Sequence, residues 1–289
     1  MPEMMEKVKK IGIIGHGFVG KAVDTGFSKN VDKILIDPKL GTSFEDLVEF
    51  QPDFIFICVP TPMSDDGSQD NSILLEVSEK IALHLAHKIV ILKSTVLPDT
   101  VKLLKDKLEH FAYNPEFLRE KHAEEDFINS PMVIIGSDEE EFKKISELYM
   151  HHSNCKSRDY VHVDALSASI IKYSINSFLA SKVMFFNQLH QLYEGVNAGT
   201  SFENIVEAIS KDPRMGGSHM DVPGHDGRKG FGGACFTKDT AALINFSNTI
   251  GIDMTILKEV VSSNNKIRSS YDELDSREKE QNVNYTFSN

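Results

Sequence analysis

The sequence predicts an α/β protein in which an N-terminal doubly wound, Rossmann-type parallel sheet is followed by an all-helical domain. Three observations carry that expectation. Short apolar runs alternate with helical patterns over the first half of the chain; the first run ends in the glycine-rich turn GHGFVG, Gly15 to Gly20; and from about Asp164 the pattern becomes that of long helices.

The first run, VKKIGIIG from Val8 to Gly15, reads as a short buried strand, and KAVDTGF continues beyond the turn as a helix. Gly15, Gly17 and Gly20 fit GxGxxG, in which the glycines allow a tight turn, close approach of a pyrophosphate and close helix–strand packing. Phe18 and Val19 lie inside the same turn. A second strand, KILID, ends at Asp37, roughly twenty residues on, where an acid can accept ribose hydroxyls. That favours NAD over NADP, with the cation Lys39 beside it as the counter-indication and an Asp-Pro turn as the plainer reading. DFIFICVPTP and HKIVILKSTV are further strands, each preceded by a helical pattern. Ligands of such sheets lie beyond the strands' carboxyl ends, so Val59, Pro60, Thr61, Ser94 and Thr95 are expected around the cofactor, with local turn capping as the alternative for the hydroxyls.

The second half opens with DALSASIIKYSINSFLASKVMFFNQLHQLYEGVNA, one long helix whose apolar stripe calls for a partner surface. Lys172 and Asn176, four residues apart, share a face of it, suited either to an oxyanion or water, or simply to solvent. SFENIVEAISKD is a further helix, DPRMGG opens a glycine-rich loop reaching to Gly230, and IDMTILKEVVSSNNKIRSSYDELDSREKE reads as a closing helix with a frayed polar tail. The expected domains are residues 1–158, Rossmann-like and NAD-binding, and 159–289, helical, serving substrate and dimerisation.

The most informative stretch is GFGGACFTKD, Gly230 to Asp239. Its glycines permit close approach of a ligand to the main chain. Cys235 follows where DTAALINF turns helical, and a helix N-terminus with a cation nearby, Lys238, favours a thiolate. Asp239 would share its helix face. The plainer reading is a small buried cysteine after a turn. Of the other cysteines, Cys58 is expected in the core and Cys155 in a loop or at the surface; three cysteines without CxxC spacing make neither a disulfide framework nor a zinc site. His219, Asp221, His225 and Asp226 fall in an irregular loop, and no metal is expected.

At 289 residues and 40% hydrophobic content the chain can bury about two cores. A net charge of −12 argues against nucleic acid as a partner. No run is long enough to span a bilayer, and MPEMMEKVKK carries no signal pattern, so neither membrane attachment nor export is expected and the cytoplasm is the compartment read from sequence.

Taken in order, GHGFVG, VPTP, KSTV, NPEFLRE, the Lys172/Asn176 pair and GFGGACFTKD closely resemble the UDP-glucose/GDP-mannose dehydrogenases, over about residues 8 to 270. The resemblance implies NAD-dependent four-electron oxidation of a nucleotide-sugar C6 alcohol to the acid, UDP-glucose to UDP-glucuronate first among the substrates, through a thiohemiacetal and thioester on Cys235. It gives Lys172, Asn176 and Asp239 the oxyanion and water, and Thr95 and Glu120 the reacting hydroxyl and hydrolytic water. Glu116, Phe117, Leu118 and Arg119, in the loop continued by Ala123, Asp126, Pro131 and Gly136, would hold substrate. So would the backbone at Phe231, Gly232 and Gly233, with Arg214 supplied across a subunit interface. Lys238 is placed on the cofactor side. A homodimer through the long helix follows from the same resemblance.

The departure is length: the family's third, UDP-binding domain has no counterpart before Asn289. Three accounts are open, namely a compact natural form, an enzyme completed by another chain, and a truncated product. Arg228 and Lys229 in the loop before GFGG are expected to take over some phosphate binding. The rival functional readings are a two-electron hydroxyacid or 6-phosphogluconate-type dehydrogenase and a non-catalytic nucleotide-binding relic.

Overall fold

The computed structural model describes residues 8–286, so the segment on which a signal pattern was sought, residues 1–7, lies outside the described residues. The chain divides into two compact units, one of residues 1–61 and 71–172, the other of residues 62–70 and 173–289.

The first unit alternates strand and helix: β1 (Lys9–Ile14), α1 (Phe18–Gly26), β2 (Val31–Ile36), α2 (Phe44–Phe50), β3 (Phe54–Ile57), α3 (Ser72–His84), β4 (Ile89–Leu92), α4 (Pro98–Lys107), β5 (Phe111–Tyr113), α5 (Ala123–Ile128), β6 (Val133–Gly136), α6 (Glu139–His152) and β7 (Tyr160–Val163). The seven strands described here form one sheet in the order β2-β1-β3-β4-β5-β6-β7. Every pairing is parallel except β5 with β6, which meet at Tyr113 and Gly136. β3 (FIFI) and β4 (IVIL) are buried along their whole length, as strands covered by helices on both faces must be. Alternate residues feed two cores. Ile14, Ile57 and Leu92 point to one face, and Ile13, Phe56 and Ile91 to the other. Cys155 packs in the second of these cores, with Tyr149 and Phe127 among its members, and is 3% exposed, which corrects the surface expectation.

β2 lies on one side of β1 and β3 on the other, so the crossover direction reverses after β2. That reversal opens a crevice at the carboxyl ends of β1 and β3. Gly15 sits at its mouth with φ +88°, and a Cβ there would stand 2.7 Å from the Cys58 carbonyl oxygen, so only glycine fits the turn. A Cβ at Gly20 would stand 2.0 Å from the Gly15 carbonyl oxygen; its absence lets α1 pack hard against the turn.

The division between the units falls within α7 (Ala165–Val196), a helix of 32 residues. The second unit then builds from α8 (Phe202–Ser210), α9 (Ala234–Thr249), α10 (Thr255–Arg268) and α11 (Ser276–Glu280). Ala180, Met184, Phe231, Ile244, Leu257 and Val261 form one core, and Phe186, Phe202, Val206, Met220 and Val222 a second. Two expectations are corrected here. The closing helix is broken, because Ser269 and Ser270 turn their hydroxyls onto the Lys266 and Ile267 carbonyls, ending α10. Asp275 then starts α11 afresh through a capping box with Glu278. The described part of the tail is not frayed either: Gln281, Val283 and Tyr285 are all buried.

Candidate active site

The crevice of the first unit is organised by Asp37. Its Oδ2 accepts the His16 N–H at 2.8 Å and its Oδ1 the Lys39 N–H at 2.8 Å. The acid thus both caps the Pro38–Leu40 turn, as an Asp-Pro turn would, and ties the end of β2 to the glycine-rich turn. Burial pushes its carboxyl up, but the two backbone hydrogen bonds and the charges of Lys39 and His16 hold it below the usual carboxylate value. Thr61, Ser94 and Thr95 are buried. Ser94 Oγ donates to the Val59 carbonyl at 2.7 Å and Thr61 Oγ1 to the Thr95 carbonyl at 3.0 Å, so these hydroxyls brace the ends of β3 and β4 together. Pro60 is exposed beside them.

Deeper in the same unit, Lys172 is 2% exposed and points its ammonium at Glu116, donating to the main-chain carbonyl and, at 3.1 Å, to Oε1. The Phe117 ring lies 5.1 Å from the ammonium. Glu116 Oε2 accepts the Leu118 N–H at 2.7 Å. The solvated helix face weighed for Lys172 and Asn176 is therefore overturned, since both are buried. Arg119 instead points outward and forks onto Asp126, with Nη2 to Oδ1 at 2.7 Å and Nε to Oδ2 at 3.0 Å. Glu120 is exposed and opens the short 3-10 turn that lines a surface cleft with Phe18, Lys21 and Lys156.

Sequence reasoning passed over Lys93. It is buried at the end of β4, donates to Asn114 Oδ1 at 3.1 Å, and burial lowers its ammonium to about 8. Asn114 Oδ1 also accepts the Tyr149 hydroxyl at 2.6 Å, and its amide donates to the Ile134 carbonyl at 2.6 Å. Burial pushes the Cys58 thiol up to about 12, so that cysteine is an inert core residue, as expected. The signal for Lys93 was a lysine directly after the apolar run IVIL.

In the second unit, Cys235 lies in the first turn of α9, half-buried, with Gly233 as the N-cap. Asp239, one turn on, is 1% exposed, and both its oxygens are engaged: Oδ1 by Lys238 Nζ at 2.6 Å and Oδ2 by Asn176 Nδ2 at 2.7 Å. The cation expected near the thiol is thus ion-paired with Asp239. The loop before Cys235 hangs from side-chain amides and a carboxylate. Gly230 N–H donates to Asn187 Oδ1 at 2.9 Å, Phe231 N–H to Asn264 Oδ1 at 2.7 Å and Gly233 N–H to Glu278 Oε1 at 2.9 Å. A Cβ at Gly232 would lie 2.3 Å from Nη2 of the buried Arg268. The missing Cβ at Gly232 thus leaves room for that guanidinium. Phe231 is core, 3% exposed.

Arg214 is exposed and grips Asp212, with Nη2 to Oδ2 at 2.6 Å. Arg228 donates to the Glu273 carbonyl at 2.6 Å and stacks on Tyr271, while Lys229 faces Glu194 at 3.6 Å, so both already have partners within the unit. Asp226 pairs with Arg268 at 2.7 Å, and among the described residues no group of three or more His, Cys, Asp or Glu side chains is placed to hold a metal.

A switch-point crevice beneath a glycine-rich turn, with an acid closing the second strand, defines a dinucleotide-binding domain of the kind NAD-dependent oxidoreductases use. Residues 39–153 match the model described as the NAD binding domain of the UDP-glucose/GDP-mannose dehydrogenase family, and residues 166–266 match that family's central domain. The chain belongs to the UDP-glucose/GDP-mannose dehydrogenase family. Among curated proteins, the UDP-glucose 6-dehydrogenase of Rickettsia bellii is 36% identical over 218 residues, covering 73% of this chain and 48% of that protein. The UDP-glucose 6-dehydrogenase TuaD of Bacillus subtilis is 29% identical over 304 residues, 90% of this chain and 64% of that protein. A solved UDP-glucose dehydrogenase from the hyperthermophilic archaeon Pyrobaculum islandicum aligns with a TM-score of 0.78 at 26% identity, over 92% of this chain and 70% of that one. The chain spans about half the length of the first curated relatives it matches.

NAD is accordingly the cofactor, and the residues of the crevice fit it. Nothing lies within 4 Å of where a Cβ at Gly17 would stand, at the N-cap of α1, so the main chain there is open to a pyrophosphate. Each Asp37 oxygen takes one backbone donor, and a carboxylate oxygen has a second lone pair for a ribose hydroxyl.

Proposed function

We propose that the chain catalyses the four-electron oxidation of a nucleotide sugar at C6, UDP-glucose to UDP-glucuronate, with Cys235 as the covalent nucleophile. The observation that carries this is Cys235 in the first turn of α9, one turn before an Asp239 whose two oxygens are fixed by Lys238 and Asn176. A helix N-terminus favours the thiolate, and a carboxylate held on both oxygens is preorganised.

NAD⁺, when bound, would supply the hydride acceptor, with a separate molecule consumed in each of the two oxidations. After the first, Cys235 Sγ bonds to the aldehyde carbon and the carbonyl oxygen takes a proton, giving a thiohemiacetal. After the second, the adduct is a thioester. Water attacks its carbonyl carbon, the C–S bond breaks, the acid leaves and the thiolate is restored. Lys172 and Asn176 steady the oxygen that becomes negative, while Asp239 and Glu120 orient water. Thr95 holds the reacting hydroxyl and Lys238 stands on the cofactor side. Glu116, Phe117, Leu118 and Arg119, with the main chain at Phe231, Gly232 and Gly233, bind the sugar.

A homodimer through α7, with Arg214 reaching the partner's site, completes the reading. Phe178, Phe185 and Leu192, seven residues apart in turn, are 69%, 57% and 61% exposed, an apolar seam that a second helix would cover. No helix among the described residues is long and apolar enough to cross a membrane. The test is NADH formed per sugar over a panel of UDP-glucose, UDP-N-acetyl sugars and GDP-mannose. Two per UDP-glucose is expected; one per substrate would establish a two-electron dehydrogenase instead.

A further inference from the structure

Glu278 lies on α11 in the C-terminal segment and is 1% exposed. Three donors converge on its carboxylate: Oε1 accepts the Gly233 N–H at 2.9 Å and the Tyr285 hydroxyl at 2.6 Å, and Oε2 accepts the Asp275 N–H at 2.9 Å. Gly233 is the N-cap of α9, two residues before Cys235. The described part of the segment is docked at several points. Val283, Tyr285 and Leu274 pack on Ala234, and the Met63 N–H donates to the Gln281 carbonyl at 3.0 Å.

The other charges around this point are largely occupied with one another. On α9, Lys238 pairs with Asp239 at 2.6 Å. On α10, Arg268 pairs with Asp226 at 2.7 Å while its guanidinium fills the space over Gly232. On the segment itself, the Asp275 side chain accepts the Glu278 N–H at 2.7 Å. Burial, and then the bond to Glu278, push the Tyr285 hydroxyl up, so it stays a donor at working pH. Glu278 therefore brings a negative charge to the helix end where the Cys235 thiolate would form, and two anions at one helix N-terminus oppose each other.

We infer that Glu278 is a positioning residue for Cys235: it fixes the Gly233–Cys235 turn through the main chain and, by its charge, governs how readily the thiol ionises. This rests on the reading of Cys235 as the nucleophile. The experiment follows the rate of iodoacetamide alkylation of Cys235 against pH in the full chain, with peptide mass spectrometry separating it from the buried Cys58 and Cys155. Glu278→Gln keeps an oxygen for the Gly233 and Tyr285 donors but removes the charge. Its alkylation midpoint should fall by about half a pH unit, the size of a charge effect at a helix end. A merely structural role would leave that midpoint where it was, and an unchanged or higher value overturns the inference.

Tyr285→Phe removes one donor and keeps the carboxylate, so its midpoint should rise. A fall or no change counts against the inference, and this variant decides the matter should Glu278→Gln not fold. Alkylation needs no turnover, so its outcome is independent of whether the proposed reaction occurs. A Cys235→Ala protein that still produced acid would sink the proposed reaction without touching this measurement.

Discussion

Asn176 and Asp239 form a buried pair, the amide Nδ2 donating to Oδ2 at 2.7 Å, with the two residues 6% and 1% exposed. The bond joins α7 to α9 and fixes the carboxylate that stands one turn after Cys235. Asn176→Ala leaves that oxygen without its amide donor in a buried place, which costs about 1–3 kcal/mol. Urea unfolding should show the loss as a lower midpoint at constant slope. Asn176→Asp, which sets two carboxylates face to face, should cost more than Asn176→Ala.

The Lys172–Glu116 pair makes a second stability prediction. Both side chains are nearly inaccessible, at 3% and 6%. Lys172→Met alone strands a buried carboxylate and should destabilise by roughly 3–5 kcal/mol, whereas Lys172→Met combined with Glu116→Gln removes both charges and should recover part of that loss. A double variant no more stable than Lys172→Met would show that the two charges are not coupled.

Glycines that look alike in sequence separate by what surrounds them. Gly232→Ala drives a Cβ into the Arg268 guanidinium, whose atoms begin at 2.3 Å. That guanidinium is held by Asp226 and the Gly230 carbonyl, so the clash should cost roughly 1–3 kcal/mol in thermal or urea unfolding. Gly17→Ala meets nothing within 4 Å and should leave stability unchanged while raising KM for NAD, because the added methyl stands where the pyrophosphate approaches.

Most of the fold was legible in the sequence because it rests on local periodicity. FIFI and IVIL had to be doubly covered strands, the glycine-rich turn had to follow β1, and the 32-residue α7 showed its apolar stripe. Within the candidate site, the place of Cys235 in the first turn of a helix was legible for the same reason. What escaped was set by long-range contacts. Nothing local shows that Asp239 is held by Asn176, sixty-three residues away, or that Gly232 serves Arg268, thirty-six residues away. Cys155 does lie in a loop, but its burial was hidden by the polar residues that flank it, since the core it joins is assembled from distant residues such as Phe27 and Phe127. The capping box Asp275–Glu278 was present in the sequence, yet its second use, holding Gly233, needs tertiary structure.

Lys93 predicts a pH dependence of stability. Its ammonium is lowered from 10.5 to about 8 in the fold, chiefly by burial. Between those values the unfolded chain binds a proton that the folded chain has released, so unfolding free energy contributed by this group rises with pH across the window and is lowest below it. Lys93→Met removes the term, and Asn114 Oδ1 keeps the Tyr149 hydroxyl as a donor. The difference in stability, wild type minus Lys93→Met, should therefore grow more favourable to wild type from about pH 8 to 10.5. A flat difference over that range would contradict the burial argument.

The central claim is that a sugar carbon becomes covalently attached to Cys235 between two oxidations. Intact-mass and peptide mass spectrometry of protein quenched with acid during turnover of UDP-glucose and NAD measure it directly. The account predicts a population carrying the mass of the sugar nucleotide as thiohemiacetal or thioester, localised to the Cys235 peptide and missing from Cys235→Ala. Uronate accumulating steadily while every quenched sample retains an unmodified Cys235 would contradict it.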